Sequence, residues 1–303
     1  MNELVVIVKQ IVTMFLLMMI GFLIYKKKMM DDHATKQLND FVLYVVNPAL
    51  SLVSFQQSFS YEKLYGFLMV FVISFFMIFL GIFAGKLIIG KEFKFEQYAC
   101  GFSNAGFIGI PLVQSLLGVE YVFYVSAFLV AFNLTSWTYG LYLISGKAEF
   151  SAKKTLTNPA ILAAIFGMII FVLQIKLPAV LTNTLSIVGN MNTPLGMIIL
   201  GTYIAKEDIV KVFTTKMSYK VSLVRLIIVP LIVIFALKFI NLPYEELKTL
   251  LLICACAPCG ATLAMFSQMC GKDYSYGAQI VSLSTLLCPF SIVLILFIST
   301  LVW

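Results

Sequence analysis

Along most of this chain apolar residues run on for about twenty positions at a stretch, stop at short clusters of Lys, Asn, Gly or Pro, and resume. A helix needs roughly 20 apolar residues to cross a ~30 Å hydrocarbon core, so each run predicts one crossing. The breakers bound ten predicted spans, at 5–24, 41–57, 64–89, 98–117, 121–144, 158–175, 179–205, 216–240, 247–270 and 274–302. Strands of a membrane barrel would show alternation over about ten residues instead, and the chain has no such pattern.

Composition agrees with the pattern. Of 303 residues, 61% are apolar and 12% charged, with a mean hydropathy of +1.00; soluble domains carry about 25% charge. Ten crossings use most of the chain and leave no room for a soluble catalytic domain. The net charge of +7 resides in loop lysines, so it reads as membrane orientation rather than a nucleic-acid surface. With both termini outside, fifteen lysines fall on the inner side, from Lys26, Lys27 and Lys28 to Lys272, against five outside. The first span carries Glu3 and Lys9, lacks a small-residue cleavage site and precedes three lysines, which predicts a retained helix rather than a signal peptide. A multi-pass protein of the cell membrane, with the lipid bilayer as its surroundings, is the expectation.

The polar segment 146–157 divides the chain into blocks of five spans, 1–145 and 158–303. An odd number per block inserts the second upside down relative to the first, as in the inverted repeats of many secondary transporters. Asn47-Pro48 in the second span is echoed by Asn192-Thr193-Pro194 in the seventh, and the most interrupted spans are the fourth and ninth. In the fourth, Gly101, Gly106, Gly109 and Pro111 weaken the helical ladder; in the ninth, Pro258 and Gly260 do the same. Backbone groups freed at membrane depth need a protein or cavity partner, and paired breaks point to a transport site near the midplane.

The pattern Asn104-x-Gly-Phe-Ile-Gly-Ile-Pro111, together with Ala257-Pro258-x-Gly260, the stretch Asp40 to Ser51 and Asn158-Pro159, resembles the auxin efflux carrier family of bacterial organic-acid permeases and plant auxin exporters. The likeness covers nearly the whole chain. It implies an all-α fold of ten transmembrane helices in two inverted repeats, akin to bile acid and auxin transporters, with a scaffold and a mobile transport domain whose broken fourth and ninth helices cross. It also implies a substrate carboxylate at the crossing, near Asn104 and Pro258, and a homodimer through the second and seventh spans. The long cytoplasmic loop of many plant exporters is missing, which favours a bacterial origin.

Among residues at depth, Ser51, Asn104 and Asn133 rank first as site-lining polar groups, with Gly109, Pro111, Pro258 and Gly260 shaping the breaks. Arg225 is the only arginine and lies about 14 Å into the eighth span. No Asp or Glu shares its depth, so carbonyls, water or a substrate anion remain as partners; it either adds positive potential for an anion, or is structural, tying broken-helix carbonyls or snorkelling toward the inner surface. Cys254-x-Cys256-x-x-Cys259 does not read as a metal site, since the first two project about 200° apart on a helix. His33 reads as a solvated loop residue. Neither a cofactor nor an enzyme activity is expected, because no base, carboxylate pair or metal-ligand cluster lies at depth. The expected function is alternating-access transport of a small organic anion, malate-, malonate- or indole-3-acetate-like; a ligand-gated channel or membrane sensor using the same cavity is the alternative.

Overall fold

The computed structural model describes residues 2–146 and 157–303, so the predicted linker, with Lys147, Lys153 and Lys154, lies outside the described residues except at its ends. The regular structure described is helical. In the first block the helices are α1 (Asn2–Lys26), α2 (Asp32–Phe41), α3 (Asn47–Ser54), α4 (Tyr61–Ile88), α5 (Lys94–Gly101), α6 (Ile110–Leu116), α7 (Val122–Thr135) and α8 (Leu141–Ser145). In the second they are α9 (Pro159–Val172), α10 (Ala179–Gly189), α11 (Asn192–Lys206), α12 (Ile209–Thr214), α13 (Lys216–Leu223), α14 (Val229–Lys238), α15 (Glu246–Cys256), α16 (Thr262–Met269) and α17 (Tyr274–Val302). Five stretches are long and apolar enough to cross a membrane: Val8–Lys26, Tyr61–Ile88, Val119–Ser145, Lys216–Lys238 and Tyr274–Val302. The others are shorter helices meeting at interruptions.

Three of those interruptions have the same cause. Pro48, Pro111 and Pro230 are the second residues of α3, α6 and α14, and each helix follows a five-residue π-helical turn: Val42–Val46, Ala105–Gly109 and Val224–Ile228. A proline cannot donate to the carbonyl four residues back, and its ring clashes there. Widening the preceding turn by one residue relieves the clash, so the amides of Asn47, Ile110 and Val229 reach back five residues to Val42, Ala105 and Val224. A fourth such turn, Ser136–Gly140, has no proline. There Gly140 lies against the ring of Tyr98, where an added Cβ would sit 2.7 Å from the ring edge.

Two predicted spans differ from expectation. The second helix starts at Asp32 rather than 41, because Asp31 caps it by accepting the Ala34 amide, and α2 carries its polar residues outside the apolar run. The seventh span is not one helix over 179–205. It divides at Asn190 and Met191, where Pro194 in the first turn of α11 lacks the amide that would continue the ladder. The division lets Gly189 rest on the backbone of Leu50, with an added Cβ only 2.9 Å from the Leu50 Cα.

Helix α1 packs along α11 at backbone distance. A Cβ on Gly21 would collide with the Ile198 carbonyl and one on Gly201 with the Met18 carbonyl, so small residues on both helices set the spacing. One turn beyond Ser51, Phe55 is fully buried and meets Phe123 edge-on at 4.9 Å, and Phe123 meets Phe171 at 4.9 Å. These rings close the interior on that side.

Candidate functional site

Helix α5 ends at Gly101, and α15 ends at Cys256 because Ala257, preceding Pro258, turns extended (φ −60°, ψ 144°). The two unwound segments meet as a short antiparallel bridge between Ser103 and Cys259. The Asn104 amide donates to the Pro258 carbonyl at 2.8 Å, and the Gly260 amide to the Phe102 carbonyl at 2.8 Å. Ser284 Oγ accepts the Cys259 amide at 3.1 Å. Each break therefore supplies partners for the other.

The carbonyls left over at the two helix C-termini converge on Arg225. Its guanidinium donates to Cys100 and Gly101 at the end of α5 and to Cys254, Ala255 and Ala257 at the end of α15. A buried cation is held here by the negative ends of two helix dipoles. Arg225 is 2% exposed and does not line the central cavity.

On the other side of the bridge lies a cavity of about 500 Å³. The segments that resume there begin at Ala105 and Thr262, presenting helix N-termini toward it. Of the candidate residues, Ser51, Asn104, Asn133 and Gly260 line this cavity; Gly109, Pro111, Pro258 and Arg225 do not. Ser51 Oγ pairs with Ser126 Oγ at 3.1 Å. The Asn133 amide donates to the Leu129 carbonyl and accepts from Asn158, so it is already committed. A Cβ added at Gly109 would lie 3.2 Å from the Ala105 Cβ and 3.9 Å from the Cys254 sulfur, a tight but not closed fit. Asn104 is 7% exposed, and its Nδ2, like Ser103 Oγ, has no hydrogen-bond partner among the described residues. A buried donor without a partner costs about 1–3 kcal/mol.

Across residues 6–153 and 147–296 the chain matches the model of a family described as membrane transport protein, that of the auxin efflux carriers. The chain belongs to that family. The transporter is thus a multi-pass membrane protein, and membrane transport rather than catalysis is its family's business. No individually curated protein matches it.

Sequence reading missed two groups, one packed behind the transporter's cavity and one in its wall. Tyr98 is fully buried, and its hydroxyl joins Ser136 Oγ at 2.8 Å and Thr262 Oγ1 at 2.7 Å, bracing the start of α16 against the π-helical turn of α7. At the cavity's charged end, Lys206 Nζ meets Asp32 Oδ2 at 2.9 Å, and the Tyr25 hydroxyl donates to Asp32 Oδ1. The bond from Lys206 holds Asp32 below the usual carboxylate range. Burial works against the charge of Lys206, but Asp32, Tyr274 and Tyr25 together outweigh it and raise the ammonium pKa. Both residues lie at helix ends, where a charge in sequence reads as a loop residue.

Proposed function

We propose that this transporter is a secondary carrier for small organic anions that moves a carboxylate by alternating access. The observation that carries the reading is the crossing: two resumed helix N-termini lie at one cavity lined by Asn104, whose buried side-chain amide has no partner, while Arg225 occupies the opposing C-termini. Donors and positive dipole ends gathered at one place suit a carboxylate. Arg225 in this reading builds the site without touching the anion. Ser51 and Gly260 complete its wall, and Asn133 fixes the position of Asn158.

The same reading takes the interrupted helices as composite spans, giving ten crossings in two inverted repeats with both ends outside. Helices α1, α2, α3, α9, α10 and α11 form the scaffold, and α4 to α8 with α13 to α17 form the moving part. The backbone contact of Gly21 and Gly201 supports a rigid scaffold, and the cavity lies between the two groups. A second copy is proposed to dock on the exposed residues of α10, among them Val180, Leu181 and Ile187.

The test is uptake of labelled malate, malonate or indole-3-acetate by proteoliposomes holding the purified protein. Saturable uptake that is lost in Asn104→Ala and Pro258→Ala is expected. Flux that fails to saturate, with single-channel conductance, would replace the carrier by a channel; no flux for any carboxylate would end the reading.

A further inference from the structure

The crossing lies deep in the cavity, yet the cations lining that cavity, among the described residues, are Lys36 and Lys206 at its charged end. Asn192 at the start of α11 reaches the Gly106 carbonyl beside the crossing, at 3.5 Å. Lys206 ends the same helix fourteen residues later, about 21 Å along its axis. No small carboxylate spans that distance, so Lys206 and the crossing cannot hold one anion together.

Lys206 is nevertheless built as a site rather than left as a surface lysine. Its ammonium is fixed by Asp32 at 2.9 Å and lies 5.0 Å from the centre of the Tyr274 ring, and Tyr25 holds Asp32 from the far side. Tyr274 opens α17, and the next residues tie the same place: Ser275 donates to Glu207 at 3.0 Å. The Lys206 side chain is 34% exposed, open enough for a ligand to reach the ammonium. Lys36 and Asp40 line the cavity close by on the chain, so positive and negative groups balance there and the region does not attract anions merely by net charge.

We propose that Lys206 is a first binding station for the transported carboxylate, separate from the crossing, at which the incoming anion replaces Asp32 on the ammonium. Asp32 holds Lys206 in position between cargoes. Because a carboxylate must displace a carboxylate, neutral and cationic solutes gain nothing by entering, and the station sorts cargo by charge before the crossing is reached. The proposal rests on the carrier reading for its cargo.

Calorimetric titration of purified protein with malonate, together with uptake kinetics in proteoliposomes, tests it. Malonate binding should survive in Asn104→Ala, where the crossing is damaged, and vanish in the double variant Asn104→Ala with Lys206→Gln. In uptake, Lys206→Gln should raise KM about tenfold with kcat within about twofold, and Lys206→Arg should recover most of the loss. Asp32→Asn should lower KM, since the competing carboxylate is gone. An unchanged KM in Lys206→Gln, or equal impairment by Asp32→Asn and Lys206→Gln, overturns the station and makes the pair a structural clasp. If the wild type takes up no carboxylate but malonate binding still depends on Lys206, the carrier reading falls and the anion site stands.

Discussion

Pro48, Pro111 and Pro230 each sit in a helix that widens one turn and carries on, whereas Pro258 ends its helix outright. The residues before the first three, Asn47, Ile110 and Val229, keep helical angles; Ala257 before Pro258 is extended. The ring is the same in all four cases, so proline does not decide the outcome. What differs is the company. At Pro258 the freed groups find Phe102 and Asn104 of the other broken segment, and Arg225 gathers the abandoned carbonyls. A helix in a membrane opens where an opened backbone is answered, and bulges where it is not.

The sharpest way to break that contrast is to remove the answer. Arg225→Gln leaves carbonyls of two helix ends without their donor and should cost about 3 kcal/mol or more, read as a fall in Tm of roughly 6–12 °C. A variant that kept the wild-type Tm but lost anion binding would move Arg225 into the substrate site. Pro258→Ala lets α15 continue as a helix and should cut uptake by about tenfold or more, while Pro230→Ala should leave uptake intact and shift stability by at most ~1 kcal/mol, since its turn is already satisfied. Equal effects of the two would show that the prolines are equivalent after all. Asn104→Ala should abolish uptake without lowering Tm, because its side-chain amide has no internal bond to lose.

The smallest expected effect concerns pH. Asp32 has a native pKa below its unfolded value, so the Lys206 pair adds stability above about pH 4, and this is lost as pH falls through the lowered native value. With the Asp32 side chain 58% exposed, the contribution is on the order of a few tenths of a kcal/mol. A slightly flatter acid limb of the Tm–pH curve in Asp32→Asn checks it.

The density of Gly and Pro made both breaks legible in the sequence, and the depth of Arg225 was legible from its distance to the helix start. Their meeting was not, because the partners of Arg225 are carbonyls, and every residue has one. The start of α2 at Asp32 escaped a reading based on apolar runs, since the cap and first turns are polar. The division at Asn190 was written in Asn190, Asn192 and Pro194, but the apolar runs on either side read as one span. Tyr98 looked like a residue at a span's edge; the small residues Ser136 and Gly140 that make room for it lie about forty positions away.

The bond from Arg225 to Cys100 joins residues 125 apart in the chain. During synthesis the end of α5 is therefore made well before the residue that binds its carbonyls exists. The first half must wait, with exposed carbonyls, for the second to arrive. Two halves expressed as separate chains should accordingly be stable only together.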